Sequence, residues 1–445
     1  MDNKLNMFNL HERRCIMKKV FIVSFLILLT LGSVWANGQQ ESKSEEQTVL
    51  NYWTWYPGEA TIREALDAFE MQNPSVKVEL TVFESQAYQE RLPLALASGE
   101  ELDVFGVQTG VMAPQVKSYL EPLDSYFEAM DGAEWESQFN ELDLDIARGQ
   151  TESDELLFIT AGRLGSAIAL YNAKMFDDLG LSVPNTYEEM KAVAATIRKE
   201  LPGVLPVVFT GDGWFVDEML LTVVAQESDL FNEIRYDGGR FDDPRFVQAL
   251  SDFKLMFQDG VFENMTDISY GRSLELFDTG KAAILYQGTW EAARLSSTFR
   301  EKSGIALENV GAMAMPVMRD SGKATLRAYT ELGYGISNSS SNKDAAAKLV
   351  HFLTAGEGFE IMNQGMFLIP NNKRAQMPDS LFNSDEGREG WELVQKLVAE
   401  STSHRNNLSG FSNTAGQVIQ IMLGGDLTPQ ETAEMIQKEF ERSGL

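Results

Sequence analysis

The chain has 445 residues and carries 66 acidic against 37 basic side chains, which gives a formal net charge of −29 at pH 7. This charge excludes nucleic acid as a natural partner, because phosphate binding needs clustered basic residues, and it disfavours anionic membrane surfaces. The only cysteine is Cys15, so disulfides, thiolate catalysis and cysteine-ligated metals are excluded from the rest of the chain.

The first 36 residues have the pattern of a secretory signal peptide. Two lysines precede an apolar run at 20–31, and small residues lead up to Ala36. The run is too short to span a bilayer comfortably. We expect cleavage after Ala36. Met17, which two lysines follow directly, is an alternative translation start that would leave residues 1–16 untranslated.

The predicted mature chain has 409 residues and, because the leader carries five basic and two acidic side chains, a net charge of −32. Such a charge is typical of a well-dispersed exported protein. No cysteine follows Ala36 to accept a lipid, so we expect an outer membrane to retain the protein in a periplasm. Residues 37–47 are polar and predicted to be disordered. The length of the remainder suits two domains.

The mature chain alternates segments of strand and helix periodicity. In chain order, strands are predicted at 49–56, 76–82, 102–107, 156–160, 166–171, 207–210, 282–287, 310–315 and 332–337. Helices are predicted around the apolar stripes of 62–69, 92–97, 190–197, 246–257 and 346–353. The acidic region 124–151 is poorly determined. Repeated strand–helix order calls for a parallel or mixed sheet flanked by helices.

Capping residues mark several helix starts. Thr186 with Glu189 forms a capping box before a helix, and Thr428 with Glu431 forms another before the last helix. Pro244 occupies the first turn of a helix capped by its preceding aspartate. These signals fix helix boundaries more closely than periodicity alone.

The stretch LFDTGKAAILYQGTWEAARL, at 276–295, predicts a strand, a sharp turn and a helix. Gly288 allows a tight turn, and Thr289 suits the N-cap. Trp290 takes the first helical position, and Glu291 suits the positive helix start. Trp290 therefore follows the carboxyl end of a strand, where ligands bind in open α/β sheets. A place in the core is the alternative for this ring.

Seven aromatic residues are predicted at strand ends or in loops, not on helix faces. Flat rings suit stacking on the apolar faces of sugars, and polar neighbours suit the sugar hydroxyls. Local packing is the alternative for each ring. The seven are Trp53, Trp55, Tyr56, Trp214 in the loop 211–214, Trp290, Tyr334 and Phe411.

Catalytic and cofactor motifs are incomplete. The Gly-Lys pair at 280–281 lacks the other residues of a P-loop, and the Gly-Tyr-Gly at 333–335 lacks the third glycine of a dinucleotide loop. The segment 143–148 starts like a calcium loop but has arginine where glycine is needed. His351 is expected to be a surface or packing residue. A carboxylate pair for glycoside hydrolysis stays open, although no pair stands out.

The chain resembles the extracellular solute-binding proteins of ABC importers, in the large family 1 that includes maltose-binding protein. The motifs that carry this resemblance keep the family's order and spacing over 49–445. They are VLNYWTWYPG at 49–58, LALASGEELDVF at 94–105, LEPLD at 120–124, GSAIALYNAKMFDDLGLSVPNTYEEM at 165–190, FDTGKAAILYQGTW at 277–290, GAMAMPV at 311–317 and LGYGISNSSSNKDAAAKLVHFLTAGEG at 332–358.

The resemblance implies an α/β fold, the two-lobed periplasmic binding protein fold of type II, with a ligand cleft between lobes joined by hinge strands. Lobe 1 would comprise 48–150 and 315–357, and lobe 2 would comprise 151–314 and 358–445. Ligand contacts both lobes in such proteins and so stabilises the closed form. No catalysis, cofactor or metal is implied.

Carried over position by position, the resemblance implies fourteen ligand contacts. They are Trp53, Trp55, Tyr56, Glu59, Gln108, Thr109, Arg163, Asp212, Trp214, Trp290, Glu331, Tyr334, Phe411 and Ser412. Trp290 matches its motif best. The loop at Gln108 departs from the aspartate-bearing loop of maltose-binding protein, which argues against maltose. Arg163 either forms a structural salt bridge or holds the carboxylate of an acidic sugar.

The expected function is capture of a mono- or oligosaccharide by a periplasmic monomer, which delivers it to the transmembrane subunits of an ABC permease. Three alternatives stay open. The first is an exported carbohydrate-active enzyme with an acid pair in the cleft. The second is a binding protein that serves a sensor, and the third is a polyamine or peptide ligand.

Overall fold

The computed structural model describes residues 47–110, 112–263, 265–401 and 411–444. The predicted signal peptide and nearly all of the predicted spacer lie outside these ranges. The elements named below belong to one unit, Thr48–Leu445.

Ten strands lie in the described ranges. They are β1 Thr48–Thr54, β2 Val76–Val82, β3 Val104–Val107, β4 Phe158–Ser166, β5 Ile168–Asn172, β6 Leu205–Val208, β7 Ala282–Gln287, β8 Val310–Met313, β9 Arg327–Ile336 and β10 Ile369–Pro370. One sheet has the order β10-β4-β9-β3-β1-β2 and the other the order β6-β7-β5-β8. Both mix parallel and antiparallel pairs, as the sequence predicts.

Helices cover both sheets. They are α1 Glu59–Gln72, α2 Ser85–Ser98, α3 Met112–Val116, α4 Asp124–Asp131, α5 Glu141–Thr151, α6 Ala173–Leu179, α7 Tyr187–Glu200, α8 Gly213–Ala225, α9 Leu230–Tyr236, α10 Pro244–Gln258, α11 Tyr270–Asp278, α12 Ser297–Lys302, α13 Lys343–Thr354, α14 Glu357–Met366, α15 Asp385–Glu400, α16 Phe411–Gly424 and α17 Pro429–Ser443. Short 3₁₀ segments are Lys117–Tyr119, Trp135–Gln138, Thr289–Leu295 and Asp379–Leu381. Among the described helices, none combines the length and apolar character that crossing a membrane would require.

Local sequence signals account for several of these helices. The buried face of α1 consists of the predicted stripe Ile62, Ala65, Leu66 and Phe69. Both predicted capping boxes form, at the starts of α7 and α17, and each joins a threonine hydroxyl and a glutamate carboxylate to backbone amides. These predictions are confirmed.

Two hydrophobic cores divide the structure into lobes. Residues of 50–164 and 329–368 build the core of lobe 1, on the six-stranded sheet. Residues of 167–328 and 367–436 build the core of lobe 2, on the four-stranded sheet. The lobe boundaries that the resemblance implies lie somewhat earlier in the chain than these changes of core, and they stay a prediction.

Strands β4 and β9 carry the chain between the lobes. They pair antiparallel along their length, from Phe158 opposite Gly335 to Ser166 opposite Arg327. Both are longer than predicted, and β4 continues through 161–166. That segment holds two glycines, which strands disfavour, so pairing with β9 overrides its weak local preference. The acidic region 124–151, in turn, forms helices α4 and α5.

A buried ion pair joins β9 to lobe 2. Arg327 is fully buried and donates through Nη1 to the Glu218 carboxylate of α8 at 2.9 Å. Its guanidinium also lies 4.4 Å from the ring centroid of Phe231. Because both charges are removed from water, each depends on the other, and the pair fixes the start of β9 against α8.

We predict that Glu218→Gln lowers the free energy of unfolding by about 3–5 kcal/mol, because it leaves the Arg327 charge buried without its carboxylate. Urea titration followed by circular dichroism measures this. The matched control is Lys174→Ala, which breaks an exposed pair with Asp178 and should leave the midpoint unchanged within error. Equal midpoints for the two variants would contradict an anchoring role of Glu218.

Candidate functional site

The 3₁₀ segment Thr289–Leu295 lies where the two lobes meet. It follows β7 of lobe 2 and contacts β4, α14 and α15. The Trp290 side chain packs against hydrophobic residues of both cores. The stretch around which the sequence suggests a site therefore lies at the junction of the lobes.

The expected N-cap at Thr289 and the expected role of Gly288 in a tight turn are both wrong. The segment is a 3₁₀ helix whose N-cap is Gly288 and whose first residue is Thr289. Gly288 has φ −83° and ψ 171°, a conformation open to any residue, so the turn does not explain the glycine. Space does, because a Cβ on Gly288 would lie 2.0 Å from Cζ3 of Trp290. The Trp290 ring folds back over the glycine that precedes its segment.

The Trp290 ring forms an aromatic pair with Trp214. Their centroids are 5.9 Å apart and the ring planes are tilted by 45°. Both side chains are half-buried. Helix α8 and the 3₁₀ segment, both of lobe 2, thus carry the pair.

Trp214 lies in the first turn of α8, so the prediction that 211–214 forms a loop is wrong for its last two residues. The Trp214 amide donates to Oδ1 of Asn413 at 3.1 Å. A Cβ on Gly213 would lie 2.7 Å from the Asn413 carbonyl oxygen, so glycine is needed for the close approach of α16 to α8. Asp212 precedes α8, and its carboxylate accepts from the Thr210 hydroxyl at 2.7 Å.

A glutamate lies directly after Trp290. The Glu291 carboxylate accepts hydrogen bonds from the Tyr270 hydroxyl and from Arg294. Arg294 also binds the Asp278 carboxylate through Nε and Nη2, at 2.8 and 2.9 Å. Burial raises the pKa of Glu291, and the Arg294 charge opposes that rise. The carboxylate is therefore held in one orientation on lobe 2.

Tyr56 of lobe 1 is influenced by this carboxylate. Burial raises the pKa of the Tyr56 phenol well above its usual value, and Glu291, Tyr329 and Glu331 raise it further through their charges. The groups that act on this phenol of lobe 1 thus come from lobe 2 and from the crossing strand β9. Glu331 is almost fully buried.

A family model described as bacterial extracellular solute-binding protein matches residues 54–358. The chain belongs to this family. The multiple sugar-binding protein of Streptococcus mutans is 23% identical to it over 360 residues, which cover 77% of this chain and 80% of that protein.

Solved structures share the fold of this solute-binding protein. The maltose/maltodextrin-binding domain from Bdellovibrio bacteriovorus, bound to maltotriose, is 18% identical, with a TM-score of 0.66 over 89% of this chain and 99% of its own. An ABC substrate-binding protein from Listeria monocytogenes in complex with cycloalternan is 18% identical, with a TM-score of 0.72 over 89% and 99%. The predicted two-lobed periplasmic binding protein fold of type II is confirmed.

In this solute-binding protein, Trp53 and Trp55 lie in the wall of lobe 1. Trp53 packs against Phe83, with ring centroids 4.8 Å apart, and the Arg91 guanidinium lies 5.3 Å from the Trp53 centroid. Trp55 is half-buried and packs against Tyr88, with ring centroids 5.2 Å apart. Trp55 is thus the more accessible of the two rings.

Gln108 and Thr109 follow β3 and make contacts within lobe 1. The Gln108 side-chain oxygen accepts from the Gln89 amide group at 2.6 Å. The Thr109 hydroxyl donates to the Thr330 carbonyl oxygen of β9. Both side chains are buried, so their hydrogen bonds join the loop after β3 to its surroundings.

Arg163 of β4 forms an ion pair with Asp143 of α5, with Nε 2.7 Å from Oδ1. Asp143 is buried, and burial raises its pKa while the Arg163 charge opposes the rise. This geometry favours the structural alternative for Arg163, because its charge already serves a buried carboxylate.

Two predicted aromatic contacts lie inside the cores. Tyr334 lies in the last third of β9 and is fully buried, with its ring centroid 6.4 Å from that of Tyr52. Phe411 begins α16 and packs between Phe241 and Phe440, with centroids 5.5 and 5.4 Å away. Phe411 starts a helix, so its predicted position in a loop is wrong, and both rings are buried; their role as ligand contacts stays a prediction.

The last two predicted contacts differ in exposure. Ser412 is buried in the first turn of α16, whereas Glu59 is exposed in the first turn of α1. Neither forms one of the groups around Trp290 described above.

Sequence reasoning missed Tyr270, Tyr329 and Arg294. Tyr270 opens α11, far from Trp290 in sequence, and no motif marks it. Tyr329 lies in the part of β9 that the predicted strand leaves out. The spacing of Glu291 and Arg294, three apart on one helical face, is the signal that could have been read.

Nothing in the described ranges resembles a metal centre, since no group of three or more acidic or histidine side chains could hold an ion. His351, which is part-buried, makes contact with Asp131 at 2.8 Å and packs edge-on against Phe127.

We predict that Gly288→Ala displaces the Trp290 ring, because the added methyl group would overlap it. The near-ultraviolet circular dichroism of tryptophan should change. The free energy of unfolding should fall by about 1–3 kcal/mol, as at other overpacked sites. Gly271→Ala is the control, since a Cβ there meets no atom within 4 Å. An unchanged tryptophan signal in Gly288→Ala would show that the ring does not depend on this space.

Proposed function

We propose that this solute-binding protein captures a mono- or oligosaccharide between its lobes and delivers it to an ABC permease. The observation that carries the proposal is the position of Trp290. Its side chain packs against hydrophobic residues of both cores and pairs with Trp214, and it directly precedes the Glu291 carboxylate, which acts on Tyr56 of lobe 1.

The chemistry of these groups suits a sugar. Aromatic faces stack on the apolar faces of pyranose rings, and carboxylates accept hydrogen bonds from hydroxyls. Trp214 and Trp290 would supply the stacking surface, and Tyr56, Glu291 and Glu331 the hydroxyl partners. Trp55 would complete the wall on lobe 1, while Arg163 would remain paired with Asp143.

The proposed mechanism is hinge closure. A ligand held between Tyr56 of lobe 1 and Trp290 of lobe 2 makes contacts that only the closed form provides, so it shifts the population toward that form. The strands β4 and β9 would bend where the chain passes between cores. The closed form would then dock on the permease.

The named relatives support a carbohydrate ligand. One is a multiple sugar-binding protein, and two solved structures contain maltotriose and cycloalternan. We further propose export to the periplasm behind the predicted signal peptide, without a lipid anchor, and a monomeric state with no enzymatic activity.

One observation favours a second candidate, an exported glycoside hydrolase. Burial raises the pKa of Glu291, as it does for the general acids of glycoside hydrolases, and Glu331 would be the second carboxylate. Both Glu291 oxygens, however, already accept hydrogen bonds from Tyr270 and Arg294.

A sugar panel separates the two candidates. The mature protein is screened by thermal shift and calorimetry against xylo-, chito- and malto-oligosaccharides and monosaccharides, and each bound sugar is recovered and analysed by mass spectrometry. A binding protein returns the sugar intact. Recovery of cleaved sugar would favour the enzyme, and absence of binding across the panel would reject a carbohydrate ligand.

We predict that Trp290→Ala weakens binding of the best sugar by about 1–3 kcal/mol, as expected for a lost aromatic stacking contact, while the protein still folds. Isothermal titration calorimetry measures the change. The control is Trp135→Phe, which alters a buried tryptophan packed against Phe127 and Phe139 in lobe 1. Equal affinity of Trp290→Ala and the wild type would make Trp290 a packing residue.

A further inference from the structure

In one residue pair of the crossing strands, the N–H group of each residue points away from the partner strand. Gly165 of β4 lies opposite Ala328 of β9. The Gly165 N–H donates to Oγ1 of Thr289 at 2.8 Å, and the Ala328 N–H donates to Oγ of Ser401 at 3.1 Å. Opposed residues in an antiparallel pair either exchange both hydrogen bonds or direct both outward, so this pair is of the second kind, with a hydroxyl acceptor on each side.

The pair stands where the chain passes from one lobe to the other. Leu164 of β4 belongs to the core of lobe 1, and Ala167, directly after the end of β4, belongs to that of lobe 2. On β9, Ala328 belongs to the core of lobe 2 and Tyr329 to that of lobe 1. Gly165 and Ala328 therefore mark the step between the lobes on both strands.

Both hydroxyls come from lobe 2. Thr289 directly follows β7 and Gly288, and Ser401 directly follows α15, which packs against β8. The Ser401 hydroxyl also donates to the Leu326 carbonyl oxygen at 2.9 Å. Thr289 is almost fully buried, so water does not compete for its hydrogen bond. Lobe 2 thus holds the crossing strands from both edges.

We propose that Thr289 and Ser401 form a clamp that fixes the point about which the lobes turn, and that Thr289 is a positioning residue for Trp290. Thr289 is bonded through its side chain to the crossing strand and through its backbone to Trp290. A ligand that moves Trp290 therefore acts on the hinge through one residue, and the hinge angle sets the position of the ring. The second part rests on the proposed sugar site at Trp290.

Removal of the Thr289 hydroxyl has a defined consequence. Valine keeps the shape of threonine but cannot accept a hydrogen bond, which leaves the buried Gly165 N–H without its partner. The end of β4 then loses its hold on lobe 2. Serine keeps the acceptor, so Thr289→Ser should restore the clamp.

The first test reads the hinge without any ligand. Cysteines at Met71 of lobe 1 and Tyr236 of lobe 2, whose residues are 78% and 66% exposed, carry spin labels on the mature chain, whose sequence after Ala36 contains no cysteine. Pulsed electron paramagnetic resonance gives the distribution of distances between the lobes. We expect Thr289→Val and Ser401→Ala to broaden or shift this distribution, and Thr289→Ser to retain that of the wild type.

The second test reads the hydrogen bond itself. Peptides that include Gly165 should exchange their amide hydrogens about tenfold faster in Thr289→Val, because a buried amide has lost its acceptor. The matched control is Thr354→Val, which removes another buried threonine hydroxyl, one that donates to the Val350 carbonyl oxygen within α13. It should change neither exchange at Gly165 nor the distances between labels.

The outcomes separate the clamp from the proposed function. The clamp would be overturned if the label distances and the amide exchange at Gly165 were the same in Thr289→Val as in Thr354→Val. It would also be overturned if Thr289→Ser failed to retain the wild-type distances. Altered distances with no sugar bound by the wild type would uphold the clamp and reject the sugar site. Where a sugar binds, its dissociation constant should rise about tenfold in Thr289→Val, and an unchanged constant would overturn the positioning role.

Discussion

The antiparallel pairing of β4 with β9 is the constraint on which the rest of the structure depends. Strand β9 passes from the core of lobe 2 into that of lobe 1, and β4 runs in the core of lobe 1 until just before Ala167 of the lobe 2 core, so both segments link the lobes. The buried Arg327–Glu218 ion pair holds the start of β9 to lobe 2, where an unpaired charge would be strongly unfavourable. In the proposed hinge closure, the bend would fall at the step between cores on these two strands.

The proposed ligand site follows from this arrangement. Trp290 lies in the segment Thr289–Leu295, which touches β4, so the ring that faces both cores is also next to the strand that joins them. The position of the ring requires no unusual backbone conformation. It requires only that residue 288 has no Cβ. Glu291 is held by Tyr270 and Arg294, so the polar neighbour of the ring is oriented before any ligand arrives. Preorganisation of this kind reduces the entropy lost on binding.

The fold could be predicted from sequence wherever one element carries its own signal. The stripe of α1, the capping boxes of α7 and α17 and the apolar run of β7 all specify local structure, and the order of the motifs adds the family. The second half of β4 could not be predicted, since a segment with Gly162 and Gly165 becomes a strand only through its partner β9. Helix α8 likewise includes the last two residues of the predicted loop 211–214, because the distant Asn413 binds the amide of its first turn.

For the proposed site, the sequence points to the stretch around Trp290, while the structure corrects the local geometry of some of its residues. Trp290 was found because a tryptophan after a strand and a glycine is a local pattern. Tyr270 and Tyr329 were missed, because their nearness to Glu291 and Tyr56 exists only in three dimensions. Thr289 shows the same limit most clearly. Its sequence context favours an N-cap, yet its hydroxyl serves a glycine amide on another strand, since at the step between lobes that amide has no strand partner on its outer side. The role of Thr289 thus depends on a distant amide that needs a hydrogen-bond acceptor, and no local sequence pattern records that need.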